Sequence, residues 1–367
     1  MNLLMNKPKT FVCLLGVFLT VFLSSHAFAK AYPNFYRGVR PLGMGNAFTA
    51  ISDDENALFY NPAGLAEISS WSVGLINPIV EVSESTIDLY NDSEDIDTDD
   101  SGQVADLLRE YVGEPQHARV SLLPYVGFPV AQCGVMIGYL GQATLDAEVR
   151  NPAWPEADTS YTVDHGPLVG VGGRIPSSNI RIGATVKYIN RESLDEIYTA
   201  TDIADDNFED QFEDDLEEGS DLALDVGVLY TLAFEWPVKT HIGLTVQNLP
   251  EMDFGAARDQ QTQTNIGLAL EKSFSKYKLL GALDYRDLTH AIGEDDDIPK
   301  RLHMGLELQF PKILSVRAGL NQGYGTYGLT LDFWIVKLDL ASYTEEVGAY
   351  AGQRDDRRYV GQLTIGW

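Results

Sequence analysis

Histidine and cysteine residues are the first place to look for chemistry, because they supply many metal ligands and nucleophiles in proteins. The two cysteines are Cys13 and Cys133, and Cys13 lies in a segment that we expect to be removed, so we predict no internal disulfide. The histidines share no metal-ligand spacing; they stand at positions 26, 117, 165, 241, 290 and 303. We therefore predict no metal site and no cofactor.

Motifs of enzymatic catalysis are missing from the sequence. No G-x-S-x-G elbow, phosphate loop or dinucleotide fingerprint occurs. The glycine cluster at 170–173 lies in a predicted β-strand and is better interpreted as part of that strand. His165 and His290 have acidic residues nearby and could form a hydrolase site at a barrel rim, but no spacing fixes their geometry. We therefore predict that the protein is not an enzyme.

The most distinctive motif is a glycine-rich run followed by an Asn-Pro-Ala tripeptide. Residues 40–50 read RPLGMGNAFTA, in which Gly43 and Gly45 allow close backbone approach. Residues 30–69 do not alternate in polarity, which predicts short helices and turns.

Two capping signals lie in the same segment. Asn61 can cap a helix that begins at Pro62, followed by Ala63, and Ser52 with Glu55 matches a capping box. A compact element of this kind upstream of a barrel would most easily sit inside the barrel as a plug, and we predict such a hatch at 30–69.

The rest of the chain alternates between apolar and polar residues with the period of two that is typical of β-strands. We predict 14 strands, an even number, as single-chain bacterial barrels require. They lie near 70–82, 117–129, 132–149, 158–174, 179–194, 220–234, 239–249, 261–273, 276–289, 300–310, 312–321, 326–334, 335–345 and 357–367. The predicted fold class is an all-β, 14-stranded antiparallel transmembrane β-barrel over 70–367 with the N-terminal hatch.

Connection lengths support this fold. Short turns follow the even-numbered strands, whereas most odd-numbered strands are followed by long loops, notably 83–116, 195–219, 290–299 and 346–356. Short turns at one rim and long loops at the other are the pattern of outer-membrane barrels. A soluble β-protein remains the alternative, because the sequence alone does not show which strand face points outward.

The N-terminus predicts a signal peptide over 1–29. Lys7 and Lys9 precede an apolar run at 11–23 and a small-residue cleavage site that ends at Ala29. The chain is then exported, and we predict an outer-membrane location with both termini in the periplasm.

The net charge of −28 excludes a nucleic-acid partner, which would need a basic face. The loops 83–116, 195–219 and 290–299 carry −26 of this charge. Such loops are most often solvated and self-repelling, and the alternative is divalent-cation bridging to lipopolysaccharide. Neither long acidic loop matches an EF-hand, so no specific calcium site is predicted.

The C-terminal strand has an aromatic and apolar face that ends at Trp367. We predict that this face is the signal read by the barrel-assembly machinery; its members are Tyr359, Leu363, Ile365 and Trp367. The remaining tryptophans lie near predicted strand ends, as an aromatic girdle would place them, at positions 71, 154, 236 and 334.

The run from Arg40 to Ala66 and the stretches 317–348 and 361–367 resemble the FadL/TodX-like outer-membrane transporter superfamily, including its PorV-like relatives. The resemblance is specific over 37–68, moderate over 300–367 and architectural between them. In that superfamily the N-terminal hatch carries an Asn-Pro-Ala motif, here Asn61, Pro62 and Ala63. The resemblance implies a 14-stranded barrel that takes up hydrophobic or amphiphilic molecules such as long-chain fatty acids.

The resemblance also implies partners and site residues. The partners are outer-membrane lipid and lipopolysaccharide, the barrel-assembly machinery and a hydrophobic small-molecule ligand. The hatch and ligand-binding residues are Gly43, Gly45, Phe48, Asn61, Pro62 and Ala63. The first long loop departs from the family's apolar capture surface because it is acidic, although an amphipathic stripe at 103–113 can either capture ligand or pack on the rim. A PorV-like scaffold for secreted proteins is the alternative function.

Overall fold

The computed structural model of the protein describes residues 35–94, 96–97, 100–205, 207–233, 237–290, 297–311 and 313–367. The expected signal peptide at 1–29 and Trp236 lie outside the described residues. Within the described ranges, no helix combines the length and the apolar character needed to cross a bilayer.

Sixteen β-segments form one antiparallel sheet that closes on itself. They are β1 Ser72–Ile76, β2 Ile79–Ser83, β3 Pro115–Leu122, β4 Tyr125–Val130, β5 Cys133–Arg150, β6 Glu156–Arg174, β7 Ile180–Thr199, β8 Glu217–Thr231, β9 Lys239–Leu249, β10 Gln263–Phe274, β11 Tyr277–Tyr285, β12 Leu302–Gln309, β13 Leu314–Asn321, β14 Tyr324–Asp332, β15 Val336–Glu346 and β16 Asp355–Gly366. Both β1 and β2 pair with β16, which closes the barrel.

The wall has 14 strands because two of them are each broken into two segments. β1 and β2 are halves of the first strand, separated at Pro78, and β3 and β4 are halves of the second, separated at Pro124. We predicted each as one unbroken strand, near 70–82 and 117–129. Proline lacks the N–H that a ladder needs, so the sequence carried the signal for both breaks.

Asn77 bridges the two breaks. Its side-chain oxygen accepts the Leu123 N–H at 2.9 Å, and its side-chain amide donates to the Leu123 carbonyl at 2.5 Å. Asn77 is fully buried, and Leu123 is 1% exposed. The amide therefore replaces the ladder hydrogen bonds that the prolines remove.

Replacing Asn77 with alanine should lower the unfolding temperature of the barrel. Two buried backbone groups of Leu123 would lose their partner, at a cost of about 1–3 kcal/mol for each unsatisfied group. The temperature at which the barrel loses its compact mobility in detergent gels measures this effect. Asn91→Ala, an exposed position in the helix Glu84–Ser93, is the control, and equal unfolding temperatures for the two variants would contradict the bridging role.

The two faces of the wall have opposite polarity. Along β16, Tyr359 and Leu363 are exposed on the outer face, whereas Arg358, Gln362 and Thr364 are buried on the inner face. Apolar side chains outside and polar ones inside are the arrangement of a transmembrane barrel and not of a soluble sandwich. The predicted fold class, a 14-stranded antiparallel barrel with a plug, is confirmed.

One side of the barrel is much taller than the rest. β5, β6 and β7 contain 18, 19 and 20 residues, whereas β12 and β13 contain 8 each. At about 3.3 Å per residue, these strands continue well past their neighbours at the rim that carries the long loops. We call this extension, residues 142–164 and 190–199, the lip.

The long loops fold over the outer face of the lip. They contain α3 Glu84–Ser93, α4 Ser101–Glu110, α5 Ala200–Ile203 and α6 Phe208–Asp214. Phe208 packs edge-on against Tyr198, and Phe212 does so against Tyr161, so the acidic α6 is anchored by two aromatic rings. The stripe at 103–113 is buried here through Val104, Leu108 and Tyr111. It therefore packs on the rim and does not form a capture surface.

Three of the tryptophans lie at the rim of short turns, as expected for a girdle. Trp71, Trp334 and Trp367 are exposed there, and Trp71 stacks on Phe128 with ring centres 5.1 Å apart. Trp154 is different, because it lies on the β5–β6 turn at the tip of the lip. Its placement in the girdle was wrong, since the unusual length of β5 and β6 carries their turn beyond the apolar belt.

Candidate functional site: the hatch and the cavity above it

Residues 35–68 fill the barrel lumen. They contain α1 Val39–Gly43, α2 Ala57–Tyr60 and a 3₁₀ helix at Pro62–Glu67, and their apolar side chains form the centre of the main buried cluster. The segment contacts inner wall residues of strands from both sides of the barrel, including β7, β8, β12 and β14. We call residues 35–68 the hatch.

The hatch lies with its backbone directly on wall glycines. A Cβ atom built on Gly172 would stand 2.6 Å from the Ala66 nitrogen, and one on Gly328 would stand 2.9 Å from the Gly43 Cα. Nine strands contribute one such glycine each, and we call this set the glycine belt: Gly134, Gly172, Gly183, Gly227, Gly243, Gly267, Gly305, Gly319 and Gly328. Any side chain at these positions would occupy the space of the hatch.

Gly43 and Gly45 are the positions at which the first half of the hatch comes closest to the barrel wall. Gly45 has a φ of +63°, which only glycine adopts without strain, and its N–H donates to the Thr326 hydroxyl at 3.0 Å. The Gly45 carbonyl accepts from the His303 ring at 2.9 Å. Both glycines therefore serve the fit of the hatch to β12, β13 and β14.

Phe48 begins a turn that is held by one wall carboxylate. Asp284 on β11 accepts the backbone N–H of Phe48 at 2.8 Å and that of Thr49 at 2.7 Å through the same oxygen. Asp284 is fully buried, and its second oxygen has no hydrogen-bond partner among the described residues. This carboxylate is therefore hydrogen-bonded to the hatch through these two backbone amides.

The Asn-Pro-Ala motif joins the hatch to the opposite wall. The Asn61 side chain accepts the Ala63 N–H at 3.1 Å, which confirms the predicted cap with Pro62 in the first position. The same side chain donates to the carbonyls of Thr49 at 2.8 Å and Val228 at 3.3 Å. Asn61 therefore connects two parts of the hatch to β8.

The predicted capping box at Ser52 and Glu55 was wrong. Ser52 has a φ of +35° and donates to the Phe48 carbonyl at 2.8 Å, because it closes the turn that Asp284 holds. Glu55 instead forms an ion pair with Lys337 at 3.5 Å. Burial raises the pKa of the Glu55 carboxyl, and Lys337 opposes that rise.

Two hatch arginines form ion pairs with the wall. Arg37 lies 3.2 Å from Glu345 and 3.4 Å from Glu81, and Arg40 lies 2.9 Å from Glu307. Removing one partner of a buried pair leaves an uncompensated charge, which costs about 3–5 kcal/mol. These contacts hold the hatch in place, and any displacement must exchange them for water or ligand.

A half-enclosed cavity of about 160 Å³ lies between the hatch and the lip. Phe35 and Arg37 of the hatch form one end, and the inner face of the lip forms the long wall, up to Arg150 and Asp158 near its tip. The loop at 250–262 and β16 close the other sides with Arg258 and Arg358. Most of the lining residues are polar or charged, although carbon atoms form more than half of the exposed lining surface.

The charges in this cavity are paired. Arg191 and Asp164 lie 2.7 Å apart, as do Arg150 and Asp158, and both pairs belong to the lip. The buried Arg358 lies 2.6 Å from Asp356. Paired charges in a recess of this kind bind polar groups, whereas a hydrocarbon gains only from apolar surface.

Comparison with solved structures identifies the fold. The Ralstonia pickettii toluene transporter TbuX has a TM-score of 0.54 and 9% identity, covering 92% of this chain and 99% of that chain. The TodX deltaS2S3 mutant, a monoaromatic hydrocarbon channel, has a TM-score of 0.50 and 9% identity, covering 90% of this chain and 98% of that chain. The chain has the FadL/TodX-like fold.

Comparisons of the sequence match less of the chain than comparisons of the fold do. The family model of the F plasmid transfer operon protein TraF matches residues 169–290, a minor part of the chain. No curated protein matches the sequence.

None of the predicted ligand-binding residues of this FadL/TodX-like barrel lines the cavity. Gly43, Gly45, Phe48, Asn61, Pro62 and Ala63 all contact the wall or the hatch interior, and direct ligand contact by them stays a prediction. The cavity residues of the lip were missed. The signal was present in 142–150, where polar residues alternate with Ala143, Leu145, Ala147 and Val149 beyond the length that a membrane strand needs.

Proposed function

We propose that the protein is an outer-membrane channel for the uptake of hydrophobic or amphiphilic small molecules, and that residues 35–68 gate it. The observation that carries this proposal is the hatch itself, which fills the lumen below a cavity that extends to the rim of long loops. The fold shared with the toluene transporter TbuX supports the same function. A non-enzymatic role fits this comparison.

The outer surface supports the location. Large apolar side chains such as Ile137, Val169, Ile182 and Leu268 are exposed around the wall, where lipid would cover them. We infer that the short turns and the C-terminus face the periplasm and that the lip faces the cell exterior with lipopolysaccharide around it. The face of Tyr359, Leu363, Ile365 and Trp367 points outward and is available to the barrel-assembly machinery.

The cavity favours an amphiphile over a pure hydrocarbon. Its polar lining can bind a head group, whereas an apolar tail needs apolar contact worth about 25 cal/mol per Å² of buried surface. Phe35, Pro115 and Val347 are apolar members of the lining, whereas the side chain of Ala147 packs in the cluster under the loops. They provide a small apolar region beside the charged pairs.

Gating requires the hatch to move relative to the wall, and a reversible lock tests this requirement. Arg40→Cys combined with Glu307→Cys places two thiols where an ion pair of 2.9 Å now joins hatch and β12. We expect a bis-methanethiosulfonate crosslinker to abolish uptake of a fluorescent amphiphile into proteoliposomes. Cleaving the crosslink with dithiothreitol should restore uptake.

All variants also carry Cys133→Ser, because Cys133 is a free thiol. Arg40→Cys alone and Glu307→Cys alone, treated with the same reagent, control for loss of the ion pair and for chemical modification. Full uptake through the crosslinked double variant would overturn gating at this end of the hatch. Uptake no faster than in protein-free liposomes, for all variants and the wild type, would overturn the channel function.

The scaffold function is the second candidate, and the charged cavity is the observation that favours it. A cavity lined by charged pairs is a poor path for hydrocarbon. The acidic loops fixed on the lip by Phe208 and Phe212 form a solvent-facing surface suited to a protein partner. Co-purification of one stoichiometric secreted protein from native membranes, together with no uptake in proteoliposomes, would select this function.

A further inference from the structure

The cavity above the hatch contains two hydroxyl groups that take no part in the contacts between hatch and wall. Thr144 on β5 and Thr162 on β6 are cross-strand neighbours on the inner face of the lip, and both line the cavity. Neither hydroxyl forms a hydrogen bond with the part of the chain that the structure describes. Two adjacent hydroxyls that face a recess can each donate and accept a hydrogen bond.

The guanidinium of Arg358 lines the same cavity, but its unpartnered nitrogen is closed off from it. Arg358 is 1% exposed, and its Nη1 has no hydrogen-bond partner among the described residues and less than 1 Å² of accessible surface. The Glu81 carboxylate stands 3.9 Å from this nitrogen, beyond hydrogen-bonding distance. A ligand in the cavity does not reach Nη1, so the threonine hydroxyls remain the groups offered to it.

The charge balance argues against an anionic ligand. Six arginines and five acidic residues line the cavity, and the ion-pair partners behind them add four carboxylates, Glu81, Asp195, Glu345 and Asp356, and one guanidinium, Arg354. The site therefore has nine carboxylates and seven guanidinium groups. His117 lies between Glu81 and Asp146, and even its protonation would not make the balance positive.

An anion would also have to displace a carboxylate that is fixed in the wall. Asp164 contacts Arg191 at 2.7 Å and is 2% exposed, so it would be left buried without its partner. A cation that bound one of the carboxylates would have to displace the guanidinium group paired with it, and that guanidinium would then be left without its partner. An uncharged ligand rich in oxygen avoids both costs and uses the free hydroxyls.

We propose that this cavity binds an uncharged, polyhydroxylated group of about the size of a monosaccharide, through Thr144 and Thr162. The volume of about 160 Å³ is suited to one ring of that size. The inference rests on the proposed function in so far as the group would be the head of the transported amphiphile. Binding of the head alone can be measured without any transport.

Three ring compounds of equal size and different charge test the proposal: methyl glucoside, glucuronate and glucosamine. Each is titrated against the full-length protein in nanodiscs, with saturation-transfer NMR as the readout and empty nanodiscs as the blank. We expect methyl glucoside to bind at least tenfold more tightly than either charged ring. Tighter binding of glucuronate or glucosamine, or no binding of any of the three at millimolar concentration, would overturn it.

The variant pair Thr144→Val and Thr162→Val removes both hydroxyls with little change of shape. We expect about tenfold weaker binding of methyl glucoside, the effect of losing two hydrogen bonds of ordinary strength. Thr240→Val, half-buried on β9 away from the cavity, is the matched control. Unchanged binding by the double variant would overturn the assignment of these residues, provided that gel mobility shows the barrel to be folded. Loss of uptake with retained head-group binding would instead refute only the channel function.

Discussion

Replacing Gly183 with valine should unseat the hatch and open the barrel to ions. A Cβ atom at Gly183 would overlap the Pro62 carbonyl and stand 2.5 Å from the Ala63 nitrogen, both of which are backbone atoms. Backbone cannot rotate away as a side chain can, so the hatch must shift. Overpacking of this kind typically costs about 1–3 kcal/mol, and one or two kcal/mol shifts a two-state equilibrium about 5- to 30-fold.

Ion conductance in planar bilayers measures this effect, because a displaced hatch leaves a water-filled lumen. Gly141→Val on β5 is the control, since a Cβ there has no atom within 4 Å and the residue faces away from the hatch. We expect the control to conduct like the wild type. Equal conductance of the Gly183 variant would show that the hatch is not held by the glycine belt.

Replacing Asp284 with alanine should free the hatch turn that starts at Phe48. The backbone N–H groups of Phe48 and Thr49 are buried and donate to this carboxylate at 2.8 and 2.7 Å. Without an acceptor, each buried donor costs about 1–3 kcal/mol. The turn would then move to a position in which water molecules accept the hydrogen bonds of both amides.

Hydrogen exchange of a peptide that contains residues 48 and 49 reports this opening directly. We expect faster exchange in Asp284→Ala than in the wild type, together with higher conductance. Asp284→Asn keeps an oxygen acceptor and should lie between them. Asp332→Ala, an exposed carboxylate at the end of β14, is the control and should leave the exchange unchanged. Wild-type protection in Asp284→Ala would mean that the carboxylate does not hold the turn.

Both variants test the same feature, which is a hatch whose backbone is fixed at many small contacts. Belt glycines, Asp284 and Asn61 each hold a different stretch of the hatch. A ligand that opens the path must offset several of these contacts at once. Under the proposed function, these contacts would keep the barrel closed to ions when no ligand is bound.

Strand number and strand direction could be predicted from the sequence because they depend on local patterns. Alternation with a period of two fixes which residues share a face, and turn residues fix where strands end. The ranges 133–150, 239–249 and 355–366 were predicted almost to the residue for this reason. The two proline breaks near residues 78 and 124 were overlooked, and two strand ends were misplaced: β7 continues to Thr199 instead of 194, and β11 ends at Tyr285 instead of 289.

The hatch could be recognised as an element, but its fit could not. Asn61 capping a helix that starts at Pro62 is a local contact, and it was predicted correctly. The contact of the Asn-Pro-Ala motif with Gly183 and Gly227 depends on wall strands more than 100 residues away in the chain. No local rule pairs a hatch carbonyl with a particular wall glycine.

The sequence by itself determined alternating strands with acidic loops at one rim and an N-terminal plug segment, whereas the structure decided which strand face points outward. Tertiary structure alone decided which polar residues meet: Arg358 of the last strand lies beside Glu81 and Asp146 of early strands, with Thr144 and Thr162 on the adjoining lip. The physical reason is closure of the sheet. Closure brings the first and last strands together and turns inner faces that are remote in sequence into one cavity, whose charge and size no single strand contains.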